Sequence, residues 1–205
     1  MREEEKGEET LGDRIAAGLA VAAFLFLCGV VYAGLTLPER PREGMYLLEI
    51  EARAHGDVVL AEGRSNLPDG SRLLVYVDRL YRVQGSDIWS SARVGSAEAV
   101  VRNQRWQAEI PVDDGPWVDE VSRQVKERAL DPIETVHSEL RASVVFSPHI
   151  QQTEGVEASL GPNFEKLSDS EQAVNVGDFW ILSDTDMVRM PLHKDLEARL
   201  LPEGA

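Results

Sequence analysis

Asn66-Leu-Pro-Asp-Gly-Ser-Arg-Leu-Leu-Val-Tyr-Val-Asp78 is a reverse turn running into a strand, and it sets the class of the whole chain. Pro68 presets φ at the first central position of the turn, Asp69 suits the second, and Gly70 follows where φ can be positive. Beyond it Leu73, Val75 and Val77 alternate with Leu74, Tyr76 and Asp78. Apolar residues on much of both faces predict a central strand over 72–83.

The flanking segments alternate too. Tyr46, Leu48, Ile50, Ala52 and Ala54 lie on one face and Glu49, Glu51 and Arg53 on the other, which predicts a half-buried strand over 46–54. His55, Gly56 and Asp57 make a turn into a second strand over 58–65, with Gly63 marking a bulge. A further hairpin centred on Asn103 and Gln104 joins 98–102 to 105–112, where Trp106, Ala108, Ile110 and Val112 share a face. Trp106 reads as a core residue. The fold class is mainly β.

The run Gly63-Arg-Ser-Asn-Leu-Pro-Asp-Gly70, the alternation that follows it, the strand Arg105-Trp-Gln-Ala-Glu-Ile110 and the later Val144-Val-Phe-Ser-Pro148 with Gln151 carry a resemblance. Together they resemble the immunoglobulin-like β-sandwich domains of membrane-anchored, exported bacterial proteins that share an N-L-P-D-G turn. The likeness spans residues 46–161. It implies an outward-facing sandwich and supplies no catalytic residues.

After Gly115 the chain departs from that pattern. Pro116 suits a first helical turn, and Val118, Val121, Val125 and Ala129 recur at three or four residues, predicting an inserted amphipathic helix over 117–130. Asp119 and Arg123 are placed to pair across one turn. Trp117 joins the apolar residues against the sheet, and Asp119, Arg123, Lys126 and Glu127 remain exposed as the candidate partner-binding face. The alternative is a helix that only covers a sheet edge. A short helical piece reaching His137 and a strand through Leu140, Ala142, Val144 and Phe146 follow. In the final third, 156–160 and 179–182 read as short strands around a turn at 161–163. Leu192, Leu196 and Leu200, with Asp195 and Arg199, outline a C-terminal helix docked on its own domain.

The N-terminal part obeys a different rule. Residues 1–14 hold Glu3, Glu4, Glu5, Glu8 and Glu9 and read as a disordered acidic tail. Residues 15–37 carry no charge, and as a helix at about 1.5 Å per residue they reach roughly 35 Å, enough for a hydrocarbon core of about 30 Å. Val31, Tyr32 and Ala33 would suit cleavage of a signal peptide. The net negative tail and the length of the apolar run favour a retained single-pass anchor. Arg2, Lys6 and Arg14 before the span balance Arg40, Arg42 and Arg53 after it, so charge sets no orientation. The resemblance does: the N-terminus inside and residues 45–205 outside the cytoplasm, joined by a Pro-rich linker over 38–44.

Net charge is −15, and residues 15–205 still carry −12, the wrong sign for nucleic acid. Cys28 lies inside the apolar run, so the rest of the chain has no thiol for a disulfide or a thiolate metal site. His55, His137, His149 and His193 lack zinc-binding spacing. Asp184 and Asp186 read as loop polarity, since an EF-hand's glycine and distal glutamate are missing. No nucleophile elbow, phosphate loop or dinucleotide fingerprint occurs. The sequence therefore predicts a membrane-anchored binding or structural module that needs no cofactor. Its partners are the lipid bilayer, through residues 15–37, and a protein. The alternative is an envelope hydrolase or metal-dependent enzyme whose site forms only in three dimensions.

Overall fold

The strand β3 (Arg72–Val83) lies where the alternation puts it. The computed structural model describes residues 45–201, and within them β3 runs between β4 (Ser90–Val100) and β6 (Ile133–Phe146). The antiparallel sheet they form has the order β4-β3-β6-β8-β7, completed by β7 (Ala173–Val176) and β8 (Phe179–Arg189). A second antiparallel sheet has the order β1-β2-β5, from β1 (Glu51–His55), β2 (Val58–Arg64) and β5 (Arg105–Pro111). Inward residues of both sheets share one hydrophobic core: Leu73, Val75 and Val77 from β3, Leu140, Ala142 and Val144 from β6, Val59 and Ala61 from β2, and Trp106 and Ile110 from β5. At roughly 1.5–3 kcal/mol for each large aliphatic or aromatic side chain, this burial is the main force for folding.

The turn before β3 sits one residue later than the sequence suggested. Ser71 N–H donates to the Pro68 carbonyl, so Asp69 and Gly70 are the central residues, and Gly70 takes the positive φ of 89°. The turn at Asn103 and Gln104 is also present, with both residues at positive φ. It joins strands of different sheets rather than the arms of one ladder, and only Arg102 and Arg105 pair across it. The cause is the end of β4: Val101 stays hydrogen-bonded to Ser71 and Gly70, which holds that side on β3 while Arg105 starts β5.

Gly63 is not a bulge, because the register passes through it unbroken, with Glu62 opposite Gln107, Gly63 opposite Trp106 and Arg64 opposite Arg105. Its reason is close approach: a Cβ there would stand 1.8 Å from the Glu49 carbonyl oxygen and 2.9 Å from the Trp106 ring. The strand expected over 46–54 forms a ladder only from Glu51 onward, although Leu48 and Ile50 are buried as the alternation required. Upstream, pairing with the β2 side continues only through the bridge of Leu48 to Ser65 and the bond from Glu49 N–H to the Arg64 carbonyl, and elsewhere side chains are the acceptors. Leu47 N–H donates to Asn66, Leu48 N–H to Gln172, Ile50 N–H to Asp184 and, within β1, Ala52 N–H to Asp186. Asp184 and Asp186 thus belong to strand β8, not to a loop.

The inserted helix α1 (Gly115–Lys126) starts with Pro116 in its first turn and buries Trp117, Val118 and Val121, with Val125 half-buried. It stops short of residue 130 because Arg128 adopts a left-handed φ of 59°, which leaves Ala129 exposed. Residues 133–137 are strand, not helix, and Thr135 and Val136 pair with Arg82 and Tyr81 as β-branched side chains favour. Conversely, 156–160 is helical: α2 (Glu154–Leu160) buries Val156 and Leu160, four residues apart on one face. The C-terminal α3 (Lys194–Leu200) docks on its own domain, with Leu192 and Leu200 buried and Arg199 paired to Asp119 of α1. Among the described residues no helix is long and apolar enough to cross a membrane. The tail 1–14, the apolar run 15–37 and the linker 38–44 lie outside them.

Candidate functional site

The face of α1 named from sequence is exposed as expected, with Asp119, Arg123, Lys126 and Glu127 all on the surface. Asp119 and Arg123, however, do not pair with each other. Arg123 is bracketed by Glu120, at 2.6 and 3.1 Å, and by Glu127 at 2.6 Å, while Asp119 binds Arg199. The hydrogen bond from Arg123 holds the Glu120 carboxyl below its usual range, and those from Glu120 and Glu127 push the Arg123 guanidinium further up. Much of the charge on this face is already compensated within the chain.

Two other polar groups serve the scaffold. Arg79 continues the inward row of β3 and is fully buried. Its Nε and Nη2 donate to the two carboxylate oxygens of Asp114 at 3.0 and 2.7 Å, and Nη1 donates to the Met190 carbonyl at 2.5 Å. Trp117 Nε1 donates to the same Asp114 at 2.8 Å, and its ring stacks on Tyr81, so one carboxylate ties β3 to the start of α1. On the outward side of β3, Asp78 is covered by Arg93 and Arg141 at 3.4 and 3.1 Å, and the Arg93 guanidinium lies over Tyr76.

Charged residues of both signs line an open cleft of about 880 Å³. Gly63 and Trp106 line it, together with the last residues of β4. Its charges are arranged by the ladder β1-β2-β5. Glu51 of β1 is opposite Glu62 of β2, and two residues along β2 Arg64 is opposite Arg105 of β5, with Arg102 facing Arg105 across the turn. Glu49, whose N–H donates to the Arg64 carbonyl, also borders the cleft. Like charges directly opposite each other weaken a sheet, and two rungs here, two residues apart along β2, carry such pairs. Arg53 relieves Glu62 at 3.1 Å and Arg72 engages Glu98 at 2.5 Å. Arg64, Arg102 and Arg105 make no ion pair among the described residues. Trp106 is 3 % exposed, and its ring N–H finds no acceptor in the structure.

Sequence reading noted Glu49, Glu51 and Arg53 as a polar strand face but did not single out the cleft. The turn at Gly56 and Asp57 places Glu51 opposite Glu62 once its length is known. The pairing of Arg64 with Arg105 joins strands far apart in the chain, and no local pattern announces it. The histidines do not converge: His137 lies edge-on to Trp89, His149 edge-on to Phe179, His193 beside Asp195, and His55 ends β1. Among the described residues no three His, Cys, Asp or Glu side chains are grouped to hold a metal ion. Compared with models of protein families, with curated proteins and with solved structures, the chain matches none.

Proposed function

We propose that this chain is a single-pass, membrane-anchored module with an immunoglobulin-like β-sandwich outside the cytoplasm, and that it binds a protein partner without transforming it. The uncharged run 15–37 supports the anchor, and two antiparallel sheets around one core support the sandwich. The binding role rests on one observation, the cleft beside Trp106 with like charges facing each other on two rungs two residues apart along β2. The polar face of α1 is the weaker choice of contact surface, because Asp119 and Arg123 already have partners within the chain.

A photo-crosslinking residue placed at Gln107, which lines the cleft, or at Lys126 on α1 separates the two surfaces in the full-length protein in its own membrane. Adducts of defined mass from Gln107 and none from Lys126 are expected. Adducts from Lys126 alone would move the partner surface to the helix, and adducts from neither position would refute a binding role for both. The anchor is tested separately: the protein should stay with membranes through an alkaline carbonate wash and keep its original N-terminus, and a mature chain starting at Gly34 would overturn it.

A further inference from the structure

The arrangement of charge in the cleft defines a class of partner more narrowly, given that the cleft is the binding surface proposed above. From it we infer that the cleft takes an extended peptide segment carrying a cationic and an acidic side chain two residues apart.

The rung Glu51–Glu62 is acidic and the rung Arg64–Arg105 is basic, and they are separated by two residues along β2. Two residues of strand span about 7 Å, and side chains two apart point to the same face. An extended peptide has the same repeat. A Lys-x-Glu pair laid over β2 therefore brings its ammonium to Glu62, with Glu51 on the β1 side, and its carboxylate to Arg64, with Arg105 on the β5 side, so each ligand charge meets two of opposite sign. Arg102 lies beside the carboxylate position and Glu49 beside Arg64.

Other ligand chemistries fit less well. A phosphate dianion at the arginine rung would sit within about 7 Å of the Glu51–Glu62 rung, closer than a Debye length at physiological salt, and would be repelled. An α-amino acid separates its charges by far less than the two rungs. A uniformly acidic or basic peptide satisfies one rung and opposes the other. The ladder tolerates like charges on both rungs at some cost in stability, and a mixed-charge strand relieves both at once.

The test uses the full-length protein in a non-ionic detergent at low salt. Three labelled peptides, N-acetylated and C-amidated, are titrated: Gly-Ser-Lys-Ser-Glu-Ser-Gly, its Glu-Ser-Glu counterpart and its Lys-Ser-Lys counterpart. The mixed peptide should bind roughly fivefold or more tightly than either of the others, and added salt should erase the difference. The variant R64E/R105E should change its preference to Lys-Ser-Lys, and E51R/E62R should change to Glu-Ser-Glu. A gained preference cannot arise from unfolding. Equal affinity for the three peptides, or variants that keep the original preference, would overturn the inference. Glu-Ser-Glu binding as well as the mixed peptide would replace it with a simple oxyanion site and leave the cleft as the binding surface. Failure of all three peptides to bind would refute a peptide ligand, while crosslinking from Gln107 still decides the broader reading.

Discussion

Replacing Asp114 by Ala should strongly destabilise this domain, because it strips a buried arginine of its carboxylate. Arg79 has no exposed side-chain surface, and Asp114 meets its guanidinium through two hydrogen bonds. Removing one partner of a buried pair costs roughly 3–5 kcal/mol, because the remaining charge stays desolvated. The lost acceptor for Trp117 Nε1 adds about 1 kcal/mol. Helix capping contributes nothing here, since Asp114 makes no side-chain cap bond to α1. The total of about 4–6 kcal/mol would be a large share of a stability of roughly 5–15 kcal/mol. With a urea slope of about 2 kcal/mol/M, the midpoint should fall by about 2–3 M, measured by fluorescence on the full-length protein in detergent. The double variant R79M/D114A removes the charge as well as its partner and should recover at least about 2 kcal/mol relative to Asp114→Ala alone. If Asp114→Ala costs under about 1 kcal/mol, or the double variant is no more stable than the single, the pair does not hold β3 to α1 as argued.

Two glycines give sharper local tests. Gly70→Val forces a β-branched residue into the φ of 89° and should cost on the order of 1–2 kcal/mol, and an unchanged melting midpoint would refute the role of the turn. Gly63→Ala places a methyl group 1.8 Å from the Glu49 carbonyl oxygen, so backbone must move; a loss of about 2 kcal/mol or more is expected, and a neutral melting curve would show that the approach of Glu49 is not required.

Legibility in the sequence followed the range of each interaction. β3 and β5 could be read because alternation is a local signal, and Leu73, Val75, Trp106 and Ile110 are buried where period two put them. The turn at Asn103 and Gln104 was also local, but its role was not. Whether β4 and β5 form one ladder or two depends on Val101 holding to Ser71, a contact between distant segments. Short apolar runs misled in both directions. Val156, Ala158 and Leu160 alternate, yet Val156 and Leu160 also stand four apart, and the helix won; residues 133–137 became strand because β3 was there to pair with them. Arg79 was invisible as a buried group, since its partner lies 35 residues on. The cleft escaped for the same reason, because Arg64 and Arg105 meet only through sheet register.

The edge of β1 rests on side chains, and that makes a prediction no ladder would make. Ile50 N–H donates to Asp184 at 3.1 Å and Ala52 N–H to Asp186 at 2.9 Å, so two carboxylates of β8 stand in for a missing neighbouring strand. Ile50 is 7 % exposed, so its amide cannot simply turn to water, and an unpaired buried amide costs roughly 1–3 kcal/mol. Ala52 is only half-buried, and water can replace part of its bond. Asp184→Ala should therefore speed hydrogen exchange at Ile50 by about tenfold or more through local opening of β1. Asp186→Ala should speed exchange at Ala52 by a smaller factor and leave Ile50 nearly unchanged. In both variants Val75, in the centre of the five-stranded sheet, should exchange as before, since β1 is not part of its ladder. Asp184→Asn keeps an oxygen acceptor and should restore most of the protection at Ile50, which separates the hydrogen bond from the charge. If Ile50 and Ala52 respond equally to either substitution, or Val75 accelerates with them, the carboxylates support the domain as a whole and do not each hold one amide of the edge.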